Sequence, residues 1–488
     1  MTPADSSKAS AKDALRVLFC TPEVTPFSGT GGLGEVSGSL PEALNKLTTT
    51  DIDCRVISPL YGSISENYRK DMKFLGYKDI PVSWRRKYMG VFSLEYGGTT
   101  YYFIDNEEYF KRDGQYGYYD DCERFAFFCR AVFESIEFTG FIPDIMHAND
   151  WQTALVPVYQ DAVYHREFMP TIFTIHNIEY QGYYGKEVIN DVIGLPEGAD
   201  HLLEFSGGAN LMKGGISTAT VVTTVSPTYA GELSYPFYAY GLDGIINSAR
   251  NKMTGILNGI NVQTYDPQND KLIEAQYSPR AISGKHKCKS AMLKEAGLPD
   301  SGAPLISIIS RLVPAKGIDL IRGTIEGLLN ADSFSLIVLG TGYREYEDFF
   351  RYLESKYPDR VRAYITFNTG LSHKLYSASD IFLMPSRTEP CGLSQMIAMR
   401  YGTVPVVRAT GGLRDSVRDC TLGDGTGFTF ENYDMASFAD AFSRAVSLYG
   451  DKKSWNALVK YDMKQDFSWK SSALKYAELY KNTAQRYK

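Results

Sequence analysis

The sequence predicts an α/β protein made of two doubly wound, parallel-sheet domains. Short apolar runs alternate with helical patterns along the whole chain, as parallel strands joined by crossover helices require. At 488 residues the chain exceeds what one core usually holds, so two or three domains are expected. Polar and glycine-rich motifs recur just after the apolar runs, where open α/β sheets bind ligands.

Taken in order, the first thirteen residues are small and polar and read as a flexible tail. The apolar stretch that follows, Ala14 to Cys20, is too short for a signal-peptide core and no cleavage pattern follows it. Strands are expected at Arg16–Cys20, Arg55–Ser58, Thr100–Ile104, Ile145–His147, Thr171–Ile175 and Val221–Val225 in the first half. In the second half they are expected at Leu305–Ser310, Leu336–Leu339, Ala363–Phe367, Asp380–Met384 and Val404–Val407. Gly, Asn, Pro and Gln cluster between Asn251 and Asp270, which puts the domain boundary at 255/256. Such a pair of domains leaves a cleft between facing sheet edges.

Composition narrows the function classes. With 44% hydrophobic and 22% charged residues the chain has the balance of a soluble globular protein. No apolar run reaches the ~18 residues of a membrane span. A net charge of −6 makes nucleic acid and acidic membrane poor partners, whereas a neutral polymer or a small metabolite suits it. The 7 Cys include no Cys-x-x-Cys pair and imply reduced, cytoplasmic thiols. The 6 His show no ligand spacing, so no metal site is expected.

The strongest local signal is Pro385-Ser-Arg-Thr-Glu-Pro-Cys-Gly-Leu-Ser-Gln, which follows the apolar run Ile381–Met384. It places one acid, Glu389, between the end of a strand and a helix expected from Gly392 onward. A glutamate favouring the helix dipole would explain it alone. Other loops on the same sheet edge add to it. Ser310-Arg-Leu-Val-Pro-Ala-Lys-Gly317 brings Arg311 and Lys316 together, Gly340-Thr-Gly342 ends the next strand, and Thr410-Gly411-Gly412-Leu413 opens a helix. Two cations, a glycine-rich turn and helix starts make a diphosphate site.

The first half supplies other chemistry. Met146-His-Ala-Asn-Asp-Trp-Gln152 and Thr174-Ile-His-Asn-Ile-Glu-Tyr-Gln-Gly182 end two strands and aim Asp150 and His176 at the cleft. An N-cap Asp and a satisfied loop His are the structural alternatives. Trp151 is either core or a platform for a sugar ring. Tyr101, Tyr102, Tyr109, Tyr116, Tyr118 and Tyr119 crowd one region; most should pack, but exposed ones suit carbohydrate. Gly29-Thr-Gly-Gly-Leu-Gly34 matches the dinucleotide fingerprint, but a spacer with two prolines separates it from its strand. A loop carried over the cleft as a phosphate or sugar lid fits better.

With these motifs in view, the chain resembles the bacterial glycogen synthases and plant starch synthases, retaining glycosyltransferases of the two-Rossmann-domain, or GT-B, type. Glu-Pro-Cys-Gly-Leu, Ser-Arg-Leu-x-x-x-Lys-Gly and His-Asn-x-x-Tyr-Gln-Gly carry the resemblance together. It implies glucose transfer from a nucleotide-glucose, preferably ADP-glucose with UDP-glucose left open, to an α-1,4-glucan such as glycogen. By position, Glu389 matches the active-site glutamate, and Arg311 and Lys316 match the pair that grips the donor phosphates. Asp150 and His176 match the groups that orient glucose, and Trp151 matches an acceptor-side aromatic. Gly31, Gly32, Cys391, Gly392, Leu393, Thr410, Gly411 and Gly412 match donor-binding loops, and Phe367 matches an aromatic near the base. No metal and no cofactor are implied.

In this architecture the last helix crosses back, so the expected domains are 1–255 and 256–470, with a returning helix at 471–488. The implied location is cytoplasmic, with a plastid also open. One departure stands out: the family motif Lys-x-Gly-Gly-Leu has Gly29 in place of lysine. Lys213 is a candidate substitute cation. Gly29 also motivates a second reading, a weakened glucan-binding homologue with a scaffold role. A third is a related glycosyltransferase with another acceptor.

Overall fold

The computed structural model describes residues 14–165 and 169–486; the expected N-terminal tail lies outside them. The chain forms two compact units. The first takes Met1–Thr224, Leu233–Ile256 and Trp469–Lys488, and the second takes Val225–Glu232 and Leu257–Ser468. The excursion of Val225–Glu232 into the second unit has no counterpart in the sequence-based boundary.

The strands of the first unit are β1 (Leu15–Cys20), β2 (Ile52–Pro59), β3 (Lys73–Val82), β4 (Arg85–Tyr96), β5 (Thr99–Asp105), β6 (Ile145–Asn149), β7 (Thr171–Ile175), β8 (Tyr183–Gly185), β9 (Glu204–Phe205), β10 (Gly208–Asn210), β11 (Val221–Thr224) and β12 (Met253–Gly255). The main sheet has the order β12-β11-β7-β6-β1-β2-β5-β4-β3, and β8, β9 and β10 form a small separate sheet. Pairing in the main sheet is parallel except for β3 with β4 and β4 with β5, and the small sheet is antiparallel throughout. β6 and β7 are buried along their full length, which is why they read as unbroken apolar runs. The strand order reverses between β1 and β6, the crevice where ligands bind in such sheets. The antiparallel extension β3–β4 was not among the expected strands.

The helix Trp469–Arg486 belongs to the first unit and packs on the helix Gly32–Asn45. Trp469, Ala473, Tyr476 and Tyr480 form its buried stripe, at helical spacing. The Tyr480 hydroxyl meets His147 Nδ1 at 2.7 Å, and His147 Nε2 meets Thr174 Oγ1 at 2.6 Å. Burial pushes the His147 pKa down to about 3, so the ring is neutral. Tyr480→Phe strands one buried nitrogen and is expected to cost about 1–3 kcal/mol, read as an earlier thermal transition. Truncation from Leu474 removes Tyr476 as well and should lower it further. An unchanged melting curve in both chains would contradict this docking.

The second unit has β13 (Leu305–Ile309), β14 (Ser335–Leu339), β15 (Val361–Tyr364), β16 (Ile381–Met384), β17 (Val404–Arg408) and β18 (Phe428–Phe430), ordered β15-β14-β13-β16-β17-β18. All pairs are parallel. Counted from β13 this is the 3-2-1-4-5-6 order of a doubly wound fold, with its reversal between β13 and β16. Two local expectations shift. β15 stops at Tyr364, which leaves Phe367 on a loop. The helix expected from Gly392 begins at Ser394, because Gly392 is left-handed with φ 70°.

Candidate functional site

In the second unit the loops after β13 and β16 leave adjacent strands at the reversal point. The N–H of Arg387 donates to the carbonyl of Ala315 at 2.9 Å and ties the two loops together. Lys316 Nζ donates to Glu389 Oε2 at 2.5 Å, and Ser386 Oγ donates to the same oxygen at 3.1 Å. Glu389 is buried, so its charge rests on these two partners. Arg311 is exposed, and among the described residues no carboxylate pairs with its guanidinium. Beside Glu389 the Cys391 thiol is buried and its pKa is pushed up to about 12, which keeps it protonated and unreactive.

Thr410, Gly411 and Gly412 do a different job from the one expected of them. Gly411 has φ 44°, and a Cβ there would lie 1.9 Å from the carbonyl oxygen of Glu389. At Gly412 it would lie 2.1 Å from that of Cys391. The Gly412 N–H donates to the carbonyl of Glu389 at 3.1 Å. The Gly411 N–H and the Thr410 hydroxyl donate to Glu232, at 3.0 and 2.8 Å. These donors are engaged within the protein, so the loop buttresses Glu389 rather than offering itself to a diphosphate. Among the described residues no acceptor meets the N–H groups of Gly392 and Leu393. Phe367 is 89% exposed, an open ring face on the same sheet edge. Gly340-Thr-Gly342 packs on the Arg311 loop, with Leu312 N–H donating to the Thr341 carbonyl at 2.8 Å.

In the first unit the connection from β1 to the helix Gly32–Asn45 runs over residues 21–31. The glycines therefore do not follow their strand directly, as dinucleotide binding would need. Glu23, buried, organises this loop: it accepts from Thr30 N at 2.8 Å, Thr30 Oγ1 at 2.7 Å and Gly34 N at 3.0 Å. Gly31 and Gly32 are exposed with no neighbour within 4 Å of an added Cβ. A Cβ on Gly29 would meet Thr25 Cγ2 at 2.8 Å. Lys213 cannot serve as the missing cation, because its ammonium donates to the carbonyls of His201 and Leu202 at 2.5 and 2.8 Å.

Asp150 directly follows β6 with φ 57° and ψ 178°, a backbone state that costs a non-glycine residue energy and clusters at functional sites. Its Oδ1 accepts from the N–H groups of His176 at 2.7 Å and Asn177 at 3.4 Å. Burial pushes the Asp150 pKa up to about 7; the two N–H bonds oppose this and the charge of Glu23 adds to it. His176 Nε2 lies 2.9 Å from Asn149 Oδ1. The amide nitrogen of Asn149 donates to the carbonyls of Cys20 and His147, at 3.1 and 3.2 Å. Asn149 Oδ1 is therefore the acceptor, His176 carries its proton on Nε2, and Nδ1 keeps a lone pair. Burial pushes the His176 pKa down to about 3, so it works as a neutral hydrogen-bonding group.

Trp151 turns out to be core. Its ring packs against Phe125 and Tyr184, with centroids 5.3 and 6.1 Å apart. The hydroxyls of Tyr61 and Tyr116 are buried without a protein partner. Burial, then the charges of Glu23 and Asp150, raise the pKa of Tyr116, which places it with the site's acids. Glu23, Asn149, Tyr116 and Glu232 were missed from sequence; only Tyr116, among the crowded tyrosines, carried any signal. Among the described residues no three His, Cys, Asp or Glu gather to hold a metal ion, and no helix is long and apolar enough to cross a membrane.

Each unit thus presents groups at its sheet's reversal point: in one, acids and a neutral imidazole; in the other, a buried carboxylate paired with Lys316, with the exposed Arg311 on the same loop as that lysine. Residues 16–248 match the family model for the starch synthase catalytic domain, and residues 291–462 match that for glycosyl transferases group 1. The glycogen synthase of Anoxybacillus flavithermus is 44% identical over 476 residues, covering 96% of this chain and 97% of that protein. The catalytic domain of starch synthase IV from Arabidopsis thaliana, bound to ADP and acarbose, superposes with a TM-score of 0.88 at 35% identity, covering 97% of this chain and 100% of that one. Sucrose-phosphate synthase from Thermosynechococcus elongatus shares the fold, with a TM-score of 0.59 at 17% identity over 96% of this chain and 98% of its own. The chain belongs to the glycogen and starch synthase family of GT-B glycosyltransferases.

Proposed function

We propose that this protein transfers glucose, with retention at the anomeric carbon, from ADP-glucose to the non-reducing end of an α-1,4-glucan. The observation that carries this reading is the pairing of half-buried Lys316 with buried Glu389 at the reversal point of the second sheet. Breaking the bond from sugar to diphosphate leaves negative charge on the departing phosphate and positive charge on the sugar. Arg311, whose guanidinium is free, and the remaining N–H groups of Lys316 neutralise the phosphate. Glu389, held as a carboxylate by Lys316 and Ser386, supports the sugar as positive charge builds. The incoming hydroxyl attacks on the face the diphosphate leaves, and the departing phosphate oxygen takes its proton. Asp150 accepts from glucose hydroxyls and His176 offers its Nδ1 lone pair. Phe367 stacks on the base, and Gly392 and Leu393 offer N–H groups to phosphate oxygens. No metal or cofactor enters, since the two cations supply the positive charge. A cytoplasmic or plastid location fits this chemistry.

The test is nucleotide release from ADP-glucose and from UDP-glucose, each with glycogen. ADP-glucose is expected to be used in preference, and release no greater than that of Arg311→Ala would sink the proposal. Gly29 gives a sharper comparison. Gly29→Lys must displace the Thr25 methyl, so Gly29→Lys with Thr25→Ala should gain more than Gly29→Lys alone. A charge-assisted hydrogen bond of about 1.5–3 kcal/mol predicts a roughly 10- to 150-fold rise in kcat/KM. If the double variant gains nothing, the missing lysine does not limit this protein.

A further inference from the structure

We infer that the groove between the helices Ser283–Ala296 and Lys452–Asp462 binds a phosphate group, free or as a small monoester. The groove lies wholly in the second unit and encloses about 430 Å³, a volume usual for small-molecule sites. One wall presents Lys285, His286 and Lys289, and the other Lys452, Trp455 and Asn456. Each trio recurs at helical spacing and so forms one face of its helix. Lys289 reaches the carbonyl of Ala303, just before β13, and Asp380, just before β16. The groove is therefore at the amino ends of these strands, whereas Arg311, Lys316 and Glu389 follow their carboxyl ends. Its occupant does not depend on which reaction the opposite edge catalyses.

The groove carries more positive charge than it neutralises. Lys289 is satisfied, donating to Asp380 and Ala303 at 2.7 Å each and to the Tyr449 hydroxyl at 2.8 Å. Lys285 donates only to neutral oxygens, the carbonyls of Ser377 and Tyr401 and the Thr403 hydroxyl. Lys452 Nζ sits 3.0 Å from the centroid of the Tyr449 ring, and among the described residues no carboxylate pairs with it. Asp451 beside it caps its own helix, accepting from the N–H groups of Lys453 and Ser454. The exposed Asp300, which also lines the groove, accepts from the Ser290 hydroxyl. Burial pushes the Lys285 pKa down to about 7; the charge of Asp380 opposes this and that of Lys289 adds to it. Desolvation lowers that of Lys452 too, with the same two charges at work. Three ammonium groups thus share Asp380, and its attraction does not make up what two of them lose in leaving water. The free donors say which anion is missing. Among the described residues no acceptor oxygen meets the Lys452 ammonium, the Trp455 indole N–H, the Asn456 amide or the His286 ring. Trp455 is only 3% exposed, and a buried indole N–H usually finds a partner. Together these donors exceed what one carboxylate accepts. They suit the outer oxygens of a phosphate group, which takes charge-assisted bonds from the ammonium.

The test is calorimetric titration with inorganic phosphate, with glycerol 1-phosphate and with succinate. All titrations use the full chain carrying Arg311→Ala, so that the catalytic loop does not contribute. Adding Lys452→Ala should weaken phosphate binding about tenfold or more. Trp455→Phe, which keeps the packed ring and removes the N–H, should weaken it as well. Tighter binding of inorganic phosphate than of the ester assigns the groove to the free ion, and the reverse order to a monoester. Unchanged affinity in both variants would overturn the site, as would no binding of either phosphate probe or succinate binding as tightly as they do. Lys452→Ala in the otherwise parent chain should release nucleotide from ADP-glucose at the parent rate. A loss as large as that of Arg311→Ala would place Lys452 in the transfer site and overturn a separate groove. Phosphate binding that depends on Lys452 in a parent chain without transferase activity would sink the transferase reading and leave the groove standing.

Discussion

Lys316→Ala is expected to lower kcat by about 10³-fold and to destabilise the second unit at the same time. The catalytic loss follows from removing a preorganised donor aimed at the departing phosphate, an effect of about 10²–10³ for one such group. The structural loss follows from Glu389, which is buried and keeps only Ser386 once Lys316 is gone. Leaving a buried carboxylate unpaired costs about 3 kcal/mol, enough to move a unit of this size by roughly 5–10 °C. The two losses separate in Lys316→Ala/Glu389→Gln. The neutral amide no longer needs a cation, so thermal stability should return while turnover stays low. The kcat of Lys316→Ala should fall more than its KM rises, because charge on the phosphate grows only as the bond breaks. A kcat within tenfold of the parent would remove Lys316 from the chemistry. Failure of the double variant to recover stability would mean that the 2.5 Å contact is not what holds Glu389.

Which parts were legible beforehand follows from how locally each is encoded. Strands buried on both faces, such as β6, β7 and β16, are continuous apolar runs and needed no partner to be read. The hairpin β3–β4 was missed because its apolar residues alternate with charges, and aromatic side chains stand on its solvent side. Arg311, Lys316 and Glu389 were legible as loops that follow strands, and two of them meet. Their supports were not. Glu232 reaches Thr410 and Gly411 from 178 and 179 residues away, and nothing in either local sequence signals it. The same holds for Asn149, whose amide sets the proton position on His176. Thr410-Gly-Gly looked like a phosphate loop because glycine permits close approach. The partner that approaches is the backbone of Glu389 and Cys391, and sequence cannot say whether a glycine makes room for a ligand or for the chain itself. Phe367 was placed at the end of a strand that stops at Tyr364, because aromatic residues suit strand interiors and loop tips alike.

Asp150→Asn is expected to reduce kcat/KM by about 10²- to 10³-fold while leaving the fold intact. The amide oxygen can still accept from His176 and Asn177, as Asp150 Oδ1 does, and asparagine tolerates positive φ better than most residues. What it loses is the negative charge, which gives hydrogen bonds from sugar hydroxyls about twice the strength of neutral ones. The pH dependence makes the assignment specific. Burial raises the Asp150 pKa to about 7, so the carboxylate forms only as pH climbs through neutrality. kcat/KM should therefore rise with pH to a plateau, with its midpoint near 7. The Asn variant should lack this limb. Stability runs the other way. The folded chain holds a proton on Asp150 between the ordinary aspartate range and about pH 7, where the unfolded chain has released it. This group therefore stabilises the fold at low pH, and its contribution is lost as pH rises through 7. Asp150→Asn removes both slopes together. If its kcat/KM keeps the parent's limb near pH 7, another group titrates in the parent and Asp150 is not the hydroxyl acceptor.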